Sequence, residues 1–380
     1  MRSVGCARRL NNHDARPRST STTVSPTIRV CARDSDYAAW DRFVSNLPGA
    51  HYYQTYGWLK SYEPIGLRTH VLVYERGDTI QGGVAFLSAK VPLLTWRIFI
   101  VSHGPLPPDP DSPGWLPLMN ELEKYCRSYN GIRTTIYPHE FENSRALLAR
   151  LEALGYSAPG SFTSHRFNST PVTIALAGKH EADILNACRP RTRSSIRRAL
   201  AGEMTMRTRV DRQIFDKIYS LLSEHGEARG YHPRPYASLK AAWEWFAPRG
   251  ETCFFQAWLH NTLVGAILIV FTGRTGYFLA GATRREYSDL RPSEFLHWHA
   301  ICEAIRREMI AYDFTSLEDS GGGVFKTGFR PVCSTWQRPR TKIYHPVQAR
   351  VMDVTEHHFS GMIRILARYR SLSRPFSLGK

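Results

Sequence analysis

The sequence predicts an α+β fold made of two tandem copies of one unit, and three observations support this. First, the order helix, β-hairpin, third strand, helix, strand can be followed twice along the chain. Second, the hairpins that contain Ile80 and Leu263 share a pattern of aliphatic residues and glycine at a constant offset of 183 residues, which also relates Gly82 to Gly265. Third, 380 residues with 42% hydrophobic and 12% aromatic side chains are enough for two cores. Coincidence between two common hairpin patterns is the alternative to a true repeat.

The elements of each copy follow from apolar periodicity and from glycine and proline at the ends. The first copy begins with a helix at Asp34, which Pro48 ends. Its other elements are strands at 69–75, 79–88, 96–101 and 132–137 and helices at 116–129 and 144–154. The second copy has a helix at 213–227, strands at 252–259, 263–271, 276–280 and 311–314, and a helix at 294–307. The predicted domains are therefore 30–178 and 179–345.

The two ends of the chain lie outside these copies. Residues 1–27 contain several arginines among Ser and Thr, with Asp14 as the single acid, and predict a disordered basic arm. A transit peptide and a mis-chosen start codon are the alternatives for this segment. Residues 346–380 predict a C-terminal helical basic tail, which either folds back on the second domain or contacts an anionic surface.

The charge of the chain indicates an anionic partner. Fifty Lys and Arg residues against 33 Asp and Glu give a formal net charge of +17. Nucleic acid, phosphorylated metabolites and an acidic lipid surface all fit this charge, which does not choose among them. No apolar run approaches the ~20 residues that a membrane-spanning helix needs. The expected location is therefore the cytoplasm, with peripheral contact to the inner face of the membrane as an option.

The cysteines and histidines do not predict a metal site. The seven cysteines stand singly, without a C-x-x-C pair, which favours a reducing compartment and inert thiols. The 15 histidines include no H-E-x-x-H motif, and His297 and His299 lie on different faces of a predicted helix. No metal ligand is therefore predicted.

An arginine-rich helix is predicted between the two copies. Five arginines fall within residues 189–198, and Pro190 is suited to the first turn of a helix that covers 191–201. A guanidinium group can bind a phosphate with two parallel hydrogen bonds, so Arg193 and Arg197 are candidate ligands of an anionic substrate. A solvated helix face is the alternative.

The stretch 311–330 carries the strongest candidate site. An apolar strand leads into a loop with three consecutive glycines, which include Gly322 and Gly323, and then into Phe325 and Lys326. Glycines allow the backbone to approach a ligand closely, and an aromatic ring and a cation lie beside them. An ordinary surface turn is the alternative. A Walker A phosphate loop is excluded, because Phe325 stands where that motif has glycine and Gly328 interrupts the helix that should follow.

Several segments, taken in order, resemble the FemABX-like branch of the GNAT acyltransferase superfamily, whose members include the aminoacyl transferases that build peptidoglycan side peptides. The resemblance covers about residues 30–345. It rests on Gln54-x-x-x-Trp58, His103-Gly104-Pro105-Leu106, the arginine segment 191–199, Tyr231-x-x-Arg234-x-Tyr236, and Tyr312-Asp313-Phe314 followed by Val324-Phe325-Lys326-x-Gly328-Phe329. The last of these is the most specific.

The resemblance implies two tandem GNAT-like domains, each a mixed, mostly antiparallel sheet flanked by helices. It also implies transfer of an aminoacyl group from tRNA to an amine of a cell-wall precursor that carries a nucleotide or lipid pyrophosphate. Phe325 and Lys326 would lie at the acyl-transfer centre. Lys60 and Arg234, with Trp58 beside them, would bind the precursor. No bound cofactor is implied, since the donor is a co-substrate.

The chain departs from this family in two ways. Some members insert a long helical hairpin thought to hold tRNA, whereas residues 211–230 have room for one helix. The glycine-rich acetyl-CoA loop of simple GNAT enzymes is expected near residues 291–294 and lacks its glycines. The first departure counts against an RNA-binding arm, and the second counts against acetyl-CoA in the second copy.

The residues favour direct attack of the amine on the donor. The sequence has no G-x-S-x-G elbow, no Ser-His-Asp signature and no evident cysteine nucleophile, so no covalent intermediate is expected. Lys326 would stabilise negative charge in the transition state, and Phe325 would pack on the donor. Asp313 would accept a proton or, alternatively, anchor its loop. Two other hypotheses remain: an acyl-CoA-dependent N-acyltransferase of envelope or exopolysaccharide metabolism, and a non-catalytic basic RNA-binding module.

Overall fold

The computed structural model describes residues 25–91, 94–107, 109, 111–138, 144–159, 171–315, 325–334 and 339–352. The predicted α+β fold of two mixed sheets flanked by helices is confirmed. The helices are α1 (Asp34–Asn46), α2 (Tyr56–Lys60), α3 (Trp115–Ser128), α4 (Ser144–Ala153), α5 (Glu181–Ala187), α6 (Pro190–Leu200), α7 (Arg212–Arg229), α8 (Tyr236–Phe246) and α9 (Pro292–Arg306). The helices predicted from periodicity correspond to α1, α3, α4, α6, α7 and α9.

The strands divide between two sheets. They are β1 (Pro26–Val30), β2 (Leu67–Arg76), β3 (Thr79–Lys90), β4 (Arg97–Ser102), β5 (Gly131–Tyr137), β6 (Val172–Ala175), β7 (Thr205–Arg207), β8 (Thr252–Leu259), β9 (Thr262–Thr272), β10 (Thr275–Thr283), β11 (Ala311–Asp313), β12 (Val332–Cys333) and β13 (Arg340–Ile343). One sheet has the order β1-β2-β3-β4-β5-β13, and the other β12-β6-β11-β10-β9-β8-β7.

The internal repeat is visible in the sheet topology. In each half a short strand and a helix precede an antiparallel hairpin, β2–β3 in one and β8–β9 in the other. A third strand follows antiparallel to the hairpin, then a helix, then a strand parallel to the third one, so that β4 and β5 correspond to β10 and β11. Such a crossover needs the helix that connects the two parallel strands, namely α3 or α9.

The last strand of each half completes the sheet of the other half. β6 pairs antiparallel with β11, although it precedes the second copy in sequence, and β13 pairs antiparallel with β5. The predicted boundary between residues 178 and 179 therefore needs correction, because β6 belongs to the second sheet and β13 to the first. Residues 26 and 27, predicted as part of the disordered arm, begin β1. Strands of four or five residues carry too little periodicity to reveal these pairings.

A buried carboxylate joins the two halves. Asp41 on α1 is fully buried, and its oxygens accept hydrogen bonds from the backbone N–H groups of Tyr56 (2.6 Å) and Gly57 (3.1 Å) at the start of α2. One of them also accepts from the indole N–H of Trp245 on α8 (2.7 Å). A Cβ atom at Gly57 would lie 2.0 Å from the Trp245 ring, so only glycine permits this approach. The contact fixes α2 against α8.

Within the part of the chain described here, no helix combines the length and the apolar character that crossing a membrane requires. Of the end segments, residues 346–352 are helical, as predicted for the start of the tail. The rest of the tail, 353–380, and residues 1–24 of the basic arm lie outside the described residues.

We predict that Trp245→Phe lowers the free energy of unfolding by about 2 kcal/mol, because it removes a donor from a buried carboxylate. Denaturant unfolding followed by circular dichroism measures this change. The matched control is Trp243→Phe on the same helix, whose ring stacks on Phe215 at 4.7 Å and loses only packing. An equal loss of unfolding free energy in the two variants would show that the hydrogen bond to Asp41 does not stabilise the contact between α2 and α8.

Candidate functional site

The two parallel strands of the second half separate where the site forms. β10 and β11 pair over three positions, the last being Tyr277 with Asp313. Beyond this point β10 continues along β9 with a register shift after Phe278, while the backbone after β11 bonds to the start of β6 and keeps a side-chain contact with β10. The first half keeps its parallel pair together over a longer run, up to Ser102 and Tyr137. The gap between diverging strands is therefore a feature of the second half.

Asp313 anchors the turn that opens this gap. Its Oδ1 accepts hydrogen bonds from the backbone N–H groups of Val172 (3.0 Å) and Thr315 (2.7 Å). Thr315 has a φ of 63°, which is rare for a β-branched residue, and its Oγ1 also donates to the Phe278 carbonyl at 2.9 Å. Burial raises the pKa of the Asp313 carboxyl, and the nearby Lys326 opposes that rise. The contacts of this carboxylate are those of a backbone anchor.

Lys326 lies at the gap with its ammonium group turned inward. Only 9% of the residue is exposed, and Nζ donates a hydrogen bond to the Phe314 carbonyl at 3.1 Å. Nζ also lies 5.4 Å from the centre of the Phe278 ring, within the range of a cation–π contact. The sequence-predicted pair Phe325 and Lys326 thus stands next to the end of β11. The predicted glycines Gly322 and Gly323 lie outside the described residues.

A buried histidine that sequence analysis did not assign to the site lies beneath Lys326. His297 on α9 shares a 2.8 Å hydrogen bond between its Nδ1 and the hydroxyl of Tyr312. Its ring is 4.8 Å from that of Phe278 and 5.2 Å from that of Phe325. Burial, with a smaller contribution from the Lys326 charge, lowers the pKa of His297 to about 3. The imidazole is therefore neutral at physiological pH.

The predicted residues Lys60, Trp58 and Arg234 meet at the joint between α2 and α8. The Arg234 guanidinium lies between the rings of Trp58 (4.3 Å) and Tyr62 (4.2 Å). It donates from Nε to the Ser238 hydroxyl at 2.7 Å and from its Nη2 to the Ser61 hydroxyl. Lys60, the neighbour of Ser61, lies over the Tyr56 and Trp245 rings at 5.5 and 5.1 Å. Both cations therefore stand at the same end of α2.

Buried aromatic rings connect this cationic pair to the Lys326 region. The Trp58 ring meets that of Tyr52 edge-on at 5.1 Å, and Tyr52 meets Tyr277 at 5.0 Å. Tyr277 is the register partner of Asp313, so the seam between the halves runs from Arg234 to the diverging strands. The Trp58 Nε1 group is buried and has no hydrogen-bond partner among the described residues.

The arginine-rich helix begins beside Lys326. The backbone N–H of Arg189, which precedes α6, donates to the Gly328 carbonyl at 2.9 Å. Arg193 is half-buried and donates to the Asn186 carbonyl at 2.8 Å, whereas Arg197 is exposed. The two arginines predicted as substrate ligands therefore differ. Arg193 is hydrogen-bonded to the backbone, and Arg197 is exposed to solvent.

A separate cavity of about 290 Å³ lies in the first half, between β2, β3 and the start of α3. Tyr74, Arg76, Gln81 and Trp115 are among its lining residues, and none of the predicted site residues lines it. Among the residues that the structure describes, no three His, Cys, Asp or Glu side chains are grouped to hold a metal ion.

Comparison with known proteins finds similar proteins at the level of sequence and of fold. Residues 186–326 match the family model of the acetyltransferase (GNAT) domain, which here extends from the end of α5 to Lys326. A lipid II:glycine glycyltransferase of Staphylococcus aureus (strain MRSA252) is 22% identical over 219 residues, 57% of this chain and 52% of that protein. The chain therefore spans about half the length of the curated relatives it matches.

Two solved structures share the fold. The crystal structure of FemX has a TM-score of 0.75 at 18% identity and covers 85% of this chain and 99% of its own. The C-terminal domain of a putative lysylphosphatidylglycerol synthetase from Agrobacterium fabrum has a TM-score of 0.51 at 12% identity, with 85% and 96% coverage. The predicted resemblance to the FemABX-like branch and the predicted tandem GNAT-like fold are confirmed.

We predict that His297 stays neutral down to about pH 4. The pKa of this histidine falls from 6.5 to about 3 on folding. Between these two pH values the unfolded chain is protonated at His297 and the folded chain is not. The contribution of His297 to the free energy of unfolding is therefore complete above pH 6.5 and decreases as the pH falls, by about 2 kcal/mol at pH 5. The ¹³Cε1 resonance of His297, assigned from its loss in His297→Gln, should not shift between pH 8 and 4.5, with free histidine as internal reference. A midpoint above pH 5 would contradict this environment.

Proposed function

Because this chain carries a GNAT acetyltransferase domain and resembles FemX in fold, we propose that it is an N-acyltransferase that acts on an amine of a cell-envelope precursor. The donor is an aminoacyl-tRNA, and the acceptor carries a nucleotide-linked or lipid-linked pyrophosphate. The observation that carries this proposal is the inward-facing Lys326 ammonium at the gap between β10 and β11. A buried cation at that place is suited to stabilising charge that develops during acyl transfer.

The proposed reaction is direct and needs no covalent intermediate. The acceptor nitrogen attacks the acyl carbonyl carbon, the ester bond to the donor breaks, and one proton passes from the amine to the leaving oxygen. Lys326 donates hydrogen bonds to the oxygen that gains charge, while Phe325 packs on the donor. The neutral His297 below Lys326 adds no second positive charge, so it does not repel the ammonium.

Asp313 is proposed as an anchor and no longer as the proton acceptor. Both recorded contacts of Oδ1 are with backbone N–H groups, and they hold Thr315 in its left-handed conformation. At this turn the backbone pairing with β10 ends, although the Thr315 side chain still contacts Phe278, and Lys326 lies where the pairing ends. The amine can be deprotonated by water or by the leaving oxygen within the same complex.

The acceptor is proposed to lie along the seam between the halves. Arg234 and Lys60 stand at one end of this seam, where they would bind the pyrophosphate, and Lys326 stands at the other. Arg234 is fixed by two serines and two aromatic rings, so its remaining N–H groups are held in a defined direction. An acceptor anchored at Arg234 would present its amine near Asp313 and Lys326.

A second candidate is acyl-CoA-dependent N-acylation in envelope or exopolysaccharide metabolism. It is favoured by the description of the matching family model as an acetyltransferase domain. The third hypothesis, a non-catalytic RNA-binding module, predicts RNA affinity without turnover and leaves the buried Lys326 without a role. Labelled aminoacyl-tRNA and labelled acyl-CoA, offered in parallel, separate the three.

We propose a cytoplasmic location, with contact at the inner face of the membrane when the acceptor is lipid-linked. The six cysteines that the structure describes are all free, which fits a reducing compartment.

We predict that Lys326→Met lowers kcat/KM for acyl transfer at least about 100-fold, equivalent to about 2.7 kcal/mol of transition-state stabilisation. Methionine has a similar length and is apolar, so the variant should keep the fold. Transfer of a labelled acyl group to the precursor measures the loss. Less than about tenfold loss would remove Lys326 from the centre of the reaction.

Asp313→Asn is the control for the neighbouring charge. The amide oxygen of asparagine can still accept from Val172 and Thr315, so an anchoring role predicts that activity stays within about fivefold of wild type. A loss of transfer activity as large as that of Lys326→Met would contradict the anchoring role and support Asp313 as the proton acceptor.

A further inference from the structure

One exposed cationic surface is not used by the mechanism above. It consists of Arg189, Arg191, Arg197, Arg198 and Arg330, and we call it the α6 arginine surface. All five side chains are exposed, and no ion pair between any of them and a carboxylate is recorded within the described ranges. Surface arginines that serve only solubility are usually interspersed with acids. Here the exposed positive charge extends along a helix, and the one nearby carboxylate on which it is seen to act among the described residues is that of Glu294, beside Arg191.

The α6 arginine surface begins at the Lys326 turn. Arg189 donates its backbone N–H to Gly328, two residues after Lys326. A Cβ atom at position 328 would lie 2.1 Å from the Thr192 hydroxyl, so the first turn of α6 is pressed against this glycine. Arg330 continues from the same turn and contributes, with Arg193, to the field at the Cys188 thiol. The carrier of an acyl group held at Lys326 would therefore lie close to this surface.

The start of α9 is poorly suited to hold the phosphates of the carrier. Pro292 occupies its first turn and lacks an N–H group, and Arg291 before it has a φ of 60°. Burial raises the pKa of the Glu294 carboxyl in the same turn, and the charges of Arg291 and Arg191 oppose that rise. An acidic side chain at a helix N-terminus competes with a pyrophosphate for the same donors and dipole. The phosphates of the donor must then be bound elsewhere.

The size of the surface favours a polymer over a single pyrophosphate. The 11 residues of α6 span about 16 Å. Double-stranded nucleic acid presents about one charge per 1.7 Å of its axis, so several phosphates face a helix of this length. The arginines on α6 are spread along it, from Arg191 at its start to Arg198 near its end. A chain of phosphates can contact Arg191, Arg197 and Arg198 together, whereas one pyrophosphate is too short to lie along the whole row.

We propose that the α6 arginine surface binds the phosphate backbone of a double-stranded RNA end whose acylated strand reaches Lys326. This inference rests on the proposed function, since it identifies the surface that takes the donor. It places the contact with the RNA backbone on α6 of the second half, next to Lys326. The binding is sequence-independent, because arginines on a helix exterior reach phosphates and not base edges.

The test measures RNA binding directly, without turnover. A fluorescently labelled RNA hairpin with a single-stranded 3′ end is titrated with full-length protein at several salt concentrations. We expect the triple variant Arg191→Gln/Arg197→Gln/Arg198→Gln to bind the RNA at least tenfold more weakly at about 150 mM salt. The slope of the logarithm of the affinity against the logarithm of the salt concentration should decrease by the equivalent of about two to three phosphate contacts. The matched control Arg42→Gln/Arg68→Gln/Arg145→Gln removes the same charge from exposed positions of the first half and should bind within about twofold of wild type.

The outcomes separate this inference from the proposed chemistry. Equal weakening by both triple variants would mean that only net charge matters and would overturn the assigned surface. Displacement of the RNA by micromolar coenzyme A would overturn it as well, in favour of a nucleotide carrier. Lys326→Met should retain most of the RNA affinity, because the proposed phosphate contacts lie on α6 and only the end of one strand reaches the buried Lys326. If that variant also keeps transfer activity, the proposed chemistry fails while the RNA surface stands.

Discussion

The buried carboxylate of Asp41 is the contact on which the arrangement of the two halves depends. It accepts three hydrogen bonds, two from the first turn of α2 and one from the Trp245 indole on α8. Burial raises the pKa of this carboxyl to about 7, so the surrounding donors compensate only part of the cost of taking it out of water. Because two of the donors belong to α2 and the third to α8, the carboxylate holds these two helices in one relative position.

That position determines where the cations of the seam lie. Arg234 precedes α8, yet it is fixed by Ser61 at the end of α2 and by Trp58 within it. Without the α2–α8 contact, Arg234 would keep its hydrogen bond to Ser238 on α8 but would lose the Ser61 hydroxyl and its aromatic neighbours Trp58 and Tyr62. The exchanged strands β6 and β13 add a second constraint, since each sheet needs a strand from the other half. The two copies therefore form one structural unit with a single seam.

We propose that the chemistry is concentrated in one copy, and the two copies end their parallel strands differently. In the first half the β4–β5 pair stays together to Tyr137. In the second, Asp313 holds Thr315 in a left-handed conformation, and the strands part directly after three paired positions. Lys326 lies at the end of β11, where this difference occurs. In the sequence a glycine-rich segment follows β11, and none follows β5.

Long periodic elements could be predicted from the sequence, and short pairings could not. The hairpins β2–β3 and β8–β9 and the helices α3, α7 and α9 follow from apolar spacing that local residues determine. The exchange of β6 and β13 depends on contacts between residues more than a hundred positions apart, which no local pattern records.

The candidate site shows the same limit. Phe325 and Lys326 could be identified from a motif, and Arg234 from a weak spacing. The contact of His297 with Tyr312 could not be identified, because a buried histidine on an apolar helix face looks like any core residue. Asp313 was ambiguous for a physical reason, since an acid at a strand end can bind a proton or a backbone N–H equally well. Only its two N–H contacts distinguish the roles.

The most direct test of the account is mass spectrometry of nucleotide-linked and lipid-linked envelope precursors from three otherwise identical cell lines. One lacks the protein, one carries the wild type, and one carries Lys326→Met. The account predicts a precursor species heavier by one amide-linked aminoacyl or acyl group in wild-type cells alone. The same precursor profile in all three lines, or the heavier species in the Lys326→Met line at the wild-type level, would contradict it.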